Sequence, residues 1–252
     1  MRIAIVGIGR LGTVFAKALS KRHELILIDR VFENAKNLGV DIGAQAVRDL
    51  KLASECDMVV VAVKPAHVQE VMEQLKDARL VVSCAAGVPI RKLESWGTRR
   101  VIRIMPNICA EVEEAVIAYS LHPEVEKKEK LFLTAFAPLG MCIKTDEGHL
   151  DPITAASGSG PAFVAFFAQA MIDAAVESGL HPETAERVVA QTLVGTGRLM
   201  LSGWPARRIR ETVASPGGTT EAGLKLLEQK GADKAIRDAI RFAAAKAREL
   251  GK

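Results

Sequence analysis

Aromatic side chains are scarce in this chain: two Trp, one Tyr and eight Phe, 4% of 252 residues. Any core is therefore aliphatic and alanine-rich, and the 49% apolar content is ample for one. Charge of a single sign is lacking too. The 34 basic residues are nearly balanced by 30 acidic ones, a formal net charge of +4. No basic run is interleaved with aromatics, so a nucleic-acid partner is not expected. The small positive excess suits an anionic small substrate. Cys56, Cys84, Cys109 and Cys142 form no C-x-x-C pair and no cluster with histidine. That leaves no basis for a metal centre and predicts reduced, mostly buried thiols. His23, His67, His122, His149 and His181 stand beside charged residues or prolines and are expected at the surface; no Ser–His–Asp arrangement stands out. No apolar run approaches the length of a bilayer span. A secretory h-region is missing, since the first apolar stretch is short and charge follows at once. The expectation is a cytoplasmic protein with no membrane partner.

What the chain does have begins at its start. Ile3-Ala4-Ile5-Val6 reads as a buried strand, and Gly7-Ile8-Gly9-Arg10-Leu11-Gly12 then gives the spacing G-x-G-x-x-G. Thr13 to Lys21 follows with helical apolar spacing at Val14, Phe15, Ala18 and Leu19. Strand, glycine turn and helix in this order open a dinucleotide-binding unit. Gly7 makes the tight turn, Gly9 admits a pyrophosphate to the backbone, and Gly12 lets the helix sit close to the strand. The helix start offers free N–H groups and partial positive charge to the phosphates. Three glycines alone also fit a chance turn. The second strand, Glu24 to Ile28, ends in Asp29, 22 positions after Gly7. That is where such a unit places the acid that binds the adenosine ribose.

Strand and helix patterns keep alternating through the first half. Short helices are expected at Asn34 to Leu38, closed by Gly39, and from Pro65 to Leu75; strands at Asp57 to Val63, Arg79 to Cys84, Val101 to Ile104, Val116 to Tyr119 and Met141 to Thr145; a helix at Glu124 to Ala137. The pattern predicts an α/β fold with a mostly parallel, doubly wound sheet. Ligands on such sheets bind beyond the carboxyl ends of the strands. The turns after Val63, Cys84 and Ile104 are thus expected to face the same crevice as the glycine loop.

After about Asp151 strands cease and helices take over, which divides the chain into residues 1–150 and an all-α part, 151–252. From Pro161 a long helix carries Phe163, Val164, Phe166, Phe167, Met171 and Ile172 on nearly every face. Such a helix must be buried, and about 100 residues give little room to bury it, so a second chain is expected to cover it. Further helices are expected from Pro182 to Leu201, after Pro205, near Gly217 and from Asp233 to Leu250, the last with Ile236, Ile240, Ala243, Ala247 and Leu250 on one stripe. Ala156 to Pro161 and Ser215 to Thr220 are glycine- and hydroxyl-rich and each precedes a helix, where such residues make a nest of N–H groups suited to an anion. Ordinary capping explains one Ser or Thr per helix. It does not explain Gly217-Gly218 followed by two threonines, which reads as a carboxylate site.

Val82-Ser83-Cys84-Ala85-Ala86-Gly87, Arg103-Ile104-Met105-Pro106-Asn107, Asp151 to Pro161 and Ser215 to Thr220 resemble signature segments of the pyrroline-5-carboxylate reductases. The resemblance runs from the first strand to about Leu250. It implies a Rossmann domain followed by a helical domain that interlocks into homodimers, often assembled further. It implies reduction of the cyclic imine 1-pyrroline-5-carboxylate to L-proline, the last step of proline biosynthesis, with NAD(P)H. It implies that Ser215, Gly217, Gly218, Thr219 and Thr220 hold the substrate, with Thr220 beside the imine nitrogen as the catalytic donor or proton relay. Thr219, at the helix start, is the neighbour expected to serve as the cap. Val63-Lys64-Pro65, Ala85-Ala86 and Asn107 would line the cofactor. Many members end the second strand with small polar and basic residues that accept NADPH, whereas this chain has Asp29 and Arg30. NADH is therefore expected to serve at least as well as NADPH. Two other readings remain open: a cofactor-sensing module, which has no use for Ser215 to Thr220, and a hydroxyacid dehydrogenase, whose usual lysine is absent from the helix Pro161 to Gly179.

Overall fold

A computed structural model describes residues 1–250 of the chain, the side chain of Leu250 excepted. It forms two compact units: Met1–Pro161 together with the C-terminal piece from Phe242, and Ala162–Arg241. The division anticipated after residue 150 falls inside the first unit.

The first unit is built on β1 (Arg2–Val6), α1 (Arg10–Ser20), β2 (Glu24–Ile28), α2 (Phe32–Ile42), β3 (Gln45–Ala46) and β4 (Met58–Val61). It continues with α3 (Val68–Gln74), β5 (Val81–Ser83), α4 (Ile90–Trp96), β6 (Val101–Pro106), β7 (Ala115–Leu121), α5 (Glu129–Phe136) and β8 (Gly140–Lys144). The strands make one eight-stranded sheet in the order β3-β2-β1-β4-β5-β6-β7-β8. Pairing is parallel except between β6 and β7, so β7 and β8 run opposite to the rest. The order reverses between β1 and β4, and this switch point places a ligand crevice at the carboxyl ends of those two strands.

Burial explains why these strands lie where they do. Met58, Val59, Val60 and Val61 are wholly buried, as helices covering both faces of a parallel sheet require. Each contributes roughly 1.5–3 kcal/mol on leaving water. Phe15 of α1 meets Phe136 of α5 edge-on at 5.4 Å between centroids, and Phe136 stacks on Phe132 at 4.8 Å. Phe15, Tyr119, Phe132 and Phe136 thus share one core cluster, while Trp96 packs against the other.

Several expectations need correction. The helix anticipated to stop at Gly39 runs on to Ile42 and ends at Gly43, whose φ is +69°. Gly39 serves close approach instead: a Cβ there would lie 2.6 Å from the Ala44 carbonyl oxygen. The strand β3 and the helix α4 were not anticipated. Cys56 and Cys84 are buried, but Cys109 and Cys142 are only partly so. Three of the five histidines, His23, His67 and His122, are half-buried rather than at the surface.

The chain turns helical again at α6 (Leu150–Ile153) and passes through a π-helical turn, Thr154–Gly158, into α7 (Gly160–Glu177). Glu147–Glu177 is helical but for a bend at Ser159, and is long and apolar enough to cross a membrane by length and composition. That corrects the expectation that no run reaches this length. Asp151, Gly158 and Gly160 interrupt the sequence pattern, yet the π-turn carries the helix across them. Then come α8 (Pro182–Leu201), α9 (Ala206–Val213), α10 (Thr219–Gln229) and α11 (Ala232–Leu250). Within the single chain α7 has no buried residue, and Phe166 is 73% exposed. On α11 the anticipated stripe leaves Ile236 exposed and Ala247 buried; Leu250, also placed on it, lies outside the described side chains.

Candidate cofactor and substrate sites

The glycine loop owes its shape to sterics. Gly7 sits at φ +97°, and a Cβ there would meet the Val63 backbone nitrogen at 2.8 Å. A Cβ on Gly12 would lie 1.9 Å from the Gly7 carbonyl oxygen. Gly9 differs, because a Cβ there would meet nothing within 4 Å. The loop is therefore tight against the protein at Gly7 and Gly12 and open at Gly9, the cradle a pyrophosphate requires. Gly9 is the N-cap of α1, with no side-chain cap and no acidic residue in the first turn. An anion there faces the positive end of the helix with no competing carboxylate.

Asp29 is fixed in place by its neighbours. Its Oδ2 accepts the Ile8 backbone N–H at 2.6 Å. Its Oδ1 accepts the Val31 N–H at 2.8 Å and the Asn34 amide at 3.3 Å. The carboxylate thus ties the glycine loop to the end of β2, and an ionised acceptor makes such bonds short and strong. Spare lone pairs remain for a ribose hydroxyl.

These elements border a cavity of about 530 Å³. Its lining includes Gly7, Ile8 and Gly9 of the loop, Asp29, Arg30 and Asn34 after β2, Arg48, Asp49 and Leu50 after β3, and Val63, Lys64 and Val71 after β4. Leu50 and Val71 are buried and give it an apolar floor. Arg48 and Asn34 were missed by sequence reasoning. Asn34 had a local signal, lying five positions beyond Asp29 on the next helix turn. Arg48 had none beyond its place after a very short strand.

Arg10, Leu11, Gly12, Pro65, Ala85, Ala86 and Asn107 are not on the wall of this cavity. Ala85, Ala86 and Asn107 follow β5 and β6 on the same edge of the sheet. Ala86 packs beside Met105, Ala118 and Leu150. Asn107 is 8% exposed; its amide nitrogen donates to Ser157 Oγ at 3.2 Å and its oxygen accepts the Val116 N–H at 3.3 Å. Four residues earlier on β6, buried Arg103 pairs with Glu147 at 3.1 Å and Asp151 at 3.5 Å. One strand thus latches the helical run twice. The stretch Ala156 to Pro161 is consequently no anion nest. It is already helical, and the Ser159 N–H is spent on the Thr154 carbonyl at 2.9 Å. Cys84 is no nucleophile either: burial pushes its thiol up to about 12, and the S–H donates to the Val61 carbonyl.

In the second unit, Ser215 to Gly218 forms a tight turn closed by Gly218 N–H to the Ser215 carbonyl at 3.0 Å. Pro216 and Gly217, at φ +72°, occupy the positions where a type II turn wants proline and glycine. Gly218 is then the N-cap of α10, with no side-chain cap. Thr219 is thus the first helical residue and not the cap anticipated. The N–H groups of Thr219 and Thr220 have no acceptor among the described residues. They lie at the positive end of a helix dipole, where an anion is favoured. The Gly217 N–H is taken by Glu221 at 2.7 Å. That bond, with Lys225 beside it, holds the exposed Glu221 carboxyl below its usual range.

Comparison with known proteins gives this arrangement a family. Residues 147–250 match the pyrroline-5-carboxylate reductase dimerisation model. Residues 2–87 match a family described as NADP oxidoreductase, coenzyme F420-dependent. The pyrroline-5-carboxylate reductase of Aquifex aeolicus is 36% identical over 99% of this chain and 97% of its own length. The chain belongs to the pyrroline-5-carboxylate reductase family. A second member, from Methanosarcina acetivorans, is 33% identical over 100% of this chain and 98% of its own. The crystal structure of Plasmodium falciparum pyrroline carboxylate reductase with NADP bound superposes with a TM-score of 0.90 at 26% identity, covering 100% of this chain and 98% of that one. The enzyme from Streptococcus pyogenes also gives 0.90, at 27% identity and coverage of 99% and 98%. The family is NAD(P)-dependent, and the oxidoreductase match falls in the first unit. The apolar face that α7 leaves exposed falls within the residues matched by the dimerisation model.

Proposed function

We propose that this chain reduces 1-pyrroline-5-carboxylate to L-proline with NAD(P)H, as a cytoplasmic enzyme of proline biosynthesis. The observation that carries the reading is the end-to-end likeness to reductases of that name, at 36% identity. The geometry supports it. The open backbone at Gly9 and the uncapped start of α1 fit a pyrophosphate, and the Asp29 carboxylate fits ribose hydroxyls. The bound nicotinamide supplies the hydride. Everything else falls to the chain itself. Val63 and Lys64 wall the cofactor, with Pro65, Ala85, Ala86 and Asn107 completing its site; Asn107 is fixed in orientation by Ser157 and Val116. Ser215, Gly217, Gly218, Thr219 and Thr220 hold the substrate carboxylate and ring nitrogen. Thr220 orients the imine and passes a proton from water to the nitrogen, since a threonine hydroxyl is too weak an acid to supply one unaided.

Two finer points belong to the same proposal. Asp29 repels a 2′-phosphate while accepting ribose hydroxyls, so NADH serves at least as well as NADPH. The exposed apolar face of α7 is covered by a second copy, making an obligate homodimer. Oxidation of NADH and of NADPH in the presence of pyrroline-5-carboxylate, followed by absorbance with proline measured as product, tests the reading. Proline should form with both. Cofactor binding without turnover would leave only a sensing module.

A further inference from the structure

The segment that begins at Glu147 reaches the loop between β5 and α4, far from the glycine turn. Gly7, Gly9 and Asp29 lie at the carboxyl ends of β1 and β2. In a doubly wound sheet that half takes the adenosine, and the half beyond the switch point takes the nicotinamide. The order β2-β1-β4-β5-β6 puts the loop 84–89 at the second half.

This loop is tied weakly within itself and firmly at its end. The Cys84 N–H donates to the Val61 carbonyl at 3.1 Å, but the turn from Ala85 to Val88 closes only at 3.4 Å, beyond the usual range. Gly87 bends it at φ +74°, and Pro89 has no N–H to give. At Ile90, the first residue of α4, the N–H donates to Glu147 Oε1 at 2.7 Å. The same oxygen accepts from Arg103 Nη1 at 3.1 Å. Arg103 sits in mid-sheet, paired with Ser83 of β5 and Ser120 of β7, and its side chain is 4% exposed. A guanidinium so buried needs an anion. Glu147 supplies one, with Asp151 beyond it at 3.5 Å. Ala86 of the loop packs against the cluster that holds Leu150, from the same segment. The loop is thus backed at two points, by packing at Ala86 and by a charge-assisted hydrogen bond at Ile90.

We infer that Glu147 is a positioning residue: clamped by Arg103, its carboxylate pins the start of α4 and so fixes the loop 84–89 at the nicotinamide half of the crevice. It acts through the loop and not on the reacting atoms. The assignment rests on the reading of this sheet edge as the nicotinamide-cofactor site.

Glu147→Ala, Glu147→Gln and Ile90→Pro are compared with the wild-type full chain in three measurements: binding of NADH and of 5′-ADP by calorimetry, melting temperature, and steady-state kinetics with pyrroline-5-carboxylate. Of these ligands, 5′-ADP carries only the adenosine half. In Glu147→Ala the Ile90 N–H loses its acceptor. NADH affinity should fall about fivefold or more, and kcat about tenfold, since a misplacement of about 1 Å costs up to about 10²-fold. Affinity for 5′-ADP should stay within about twofold. Glu147→Gln keeps an oxygen for the Ile90 N–H and loses the charge facing Arg103. Its melting temperature should fall, while NADH affinity and kcat stay within about twofold of wild type. Ile90→Pro deletes the donor and keeps both charges, at a helix position that accepts proline; it should repeat the selective loss of Glu147→Ala. A role in stability alone would lower the melting temperature and leave the ratio of the two affinities unchanged, and that result would overturn the inference. So would wild-type NADH affinity and kcat in Ile90→Pro, or losses in Glu147→Gln equal to those in Glu147→Ala. Failure of both Glu147→Ala and Ile90→Pro to fold would show the contact to be structural and overturn it as well. A wild type that binds neither NADH nor 5′-ADP removes the cofactor site and the inference with it. Selective loss of NADH affinity in a chain that forms no proline would instead leave the positioning role standing and remove the reductase reading.

Discussion

Gly9 and Gly12 stand three positions apart in one loop, yet alanine should act on them in opposite ways. At Gly12 the new Cβ would lie 1.9 Å from the Gly7 carbonyl oxygen, more than 1 Å inside any tolerable contact. Neither partner is a flexible side chain, so α1 itself must retreat from β1. It carries buried Val14, Phe15, Ala18 and Leu19 with it. Overpacking of this kind costs about 3 kcal/mol at the upper end of its usual range. Removing glycine from a helix returns about 1 kcal/mol. The net loss of about 2 kcal/mol should lower the Tm by roughly 4–8 °C for a chain of this size. At Gly9 the backbone is extended, at φ −85° and ψ −164°, a conformation alanine adopts freely, and the methyl meets no atom within 4 Å. Stability should stay within about 0.5 kcal/mol. The methyl would nevertheless fill the approach to the loop, and NADH affinity should fall about tenfold or more, some 1.4 kcal/mol. Thermal unfolding by circular dichroism and NADH titration by fluorescence, on both variants, measure the two effects separately. Wild-type NADH affinity in Gly9→Ala, or a wild-type Tm in Gly12→Ala, would refute this account of the loop.

Other predictions follow from the remaining sites. Asp29→Ser should shift preference toward NADPH and lower stability by about 1–3 kcal/mol, since the Ile8 and Val31 N–H groups lose their acceptor; a wild type that strongly prefers NADPH over NADH would contradict the role given to Asp29. Phe166→Asp, at a position 73% exposed in the single chain, should abolish the dimer and yield aggregated or unfolded protein by light scattering, because the charge would be buried at the subunit contact; a well-behaved wild-type monomer in dilute solution would rule the dimer out. Thr220→Ala should lower kcat about tenfold or more, less than the roughly 10²–10⁴-fold of a direct proton donor because Thr220 only relays the proton, while Thr220→Ser keeps most activity. Thr219→Ala should leave stability within about 0.5 kcal/mol, because Gly218 and not Thr219 is the N-cap; steady-state kinetics and melting curves on these variants would show otherwise.

The order of the first unit was legible because its signals are local. The apolar run at β4, the glycine spacing after β1 and the acid ending β2 each lie within one stretch of chain. Pro182 marked the start of α8 for the same reason, as a residue fit for a first turn. What could not be read depends on residues far apart in sequence. Gly39 looks like a helix stop until the Ala44 carbonyl is seen resting against it. Asp29 looks like a ribose ligand only, yet the Ile8 N–H returns to it across 21 positions. Arg48 belongs to the cavity because a two-residue strand places it there, and a strand that short carries no pattern of its own. Ala156 to Pro161 reads as a nest of N–H groups, but Arg103 on β6 and Asn107 just after it hold the neighbouring helical segment in place. The two threonines of α10 were legible as lying at a helix start, but which residue caps it was not, because the turn at Pro216 and Gly217 makes Gly218 the cap.

The central claim is that this chain delivers hydride to the imine carbon of pyrroline-5-carboxylate. That carbon is the ring neighbour of nitrogen that does not bear the carboxylate. NADH deuterated at the transferred position, incubated with the chain and the imine, should yield proline carrying one deuterium on that carbon, read by mass spectrometry and NMR. Proline without the label, or NADH left unoxidised while it binds, would contradict the account.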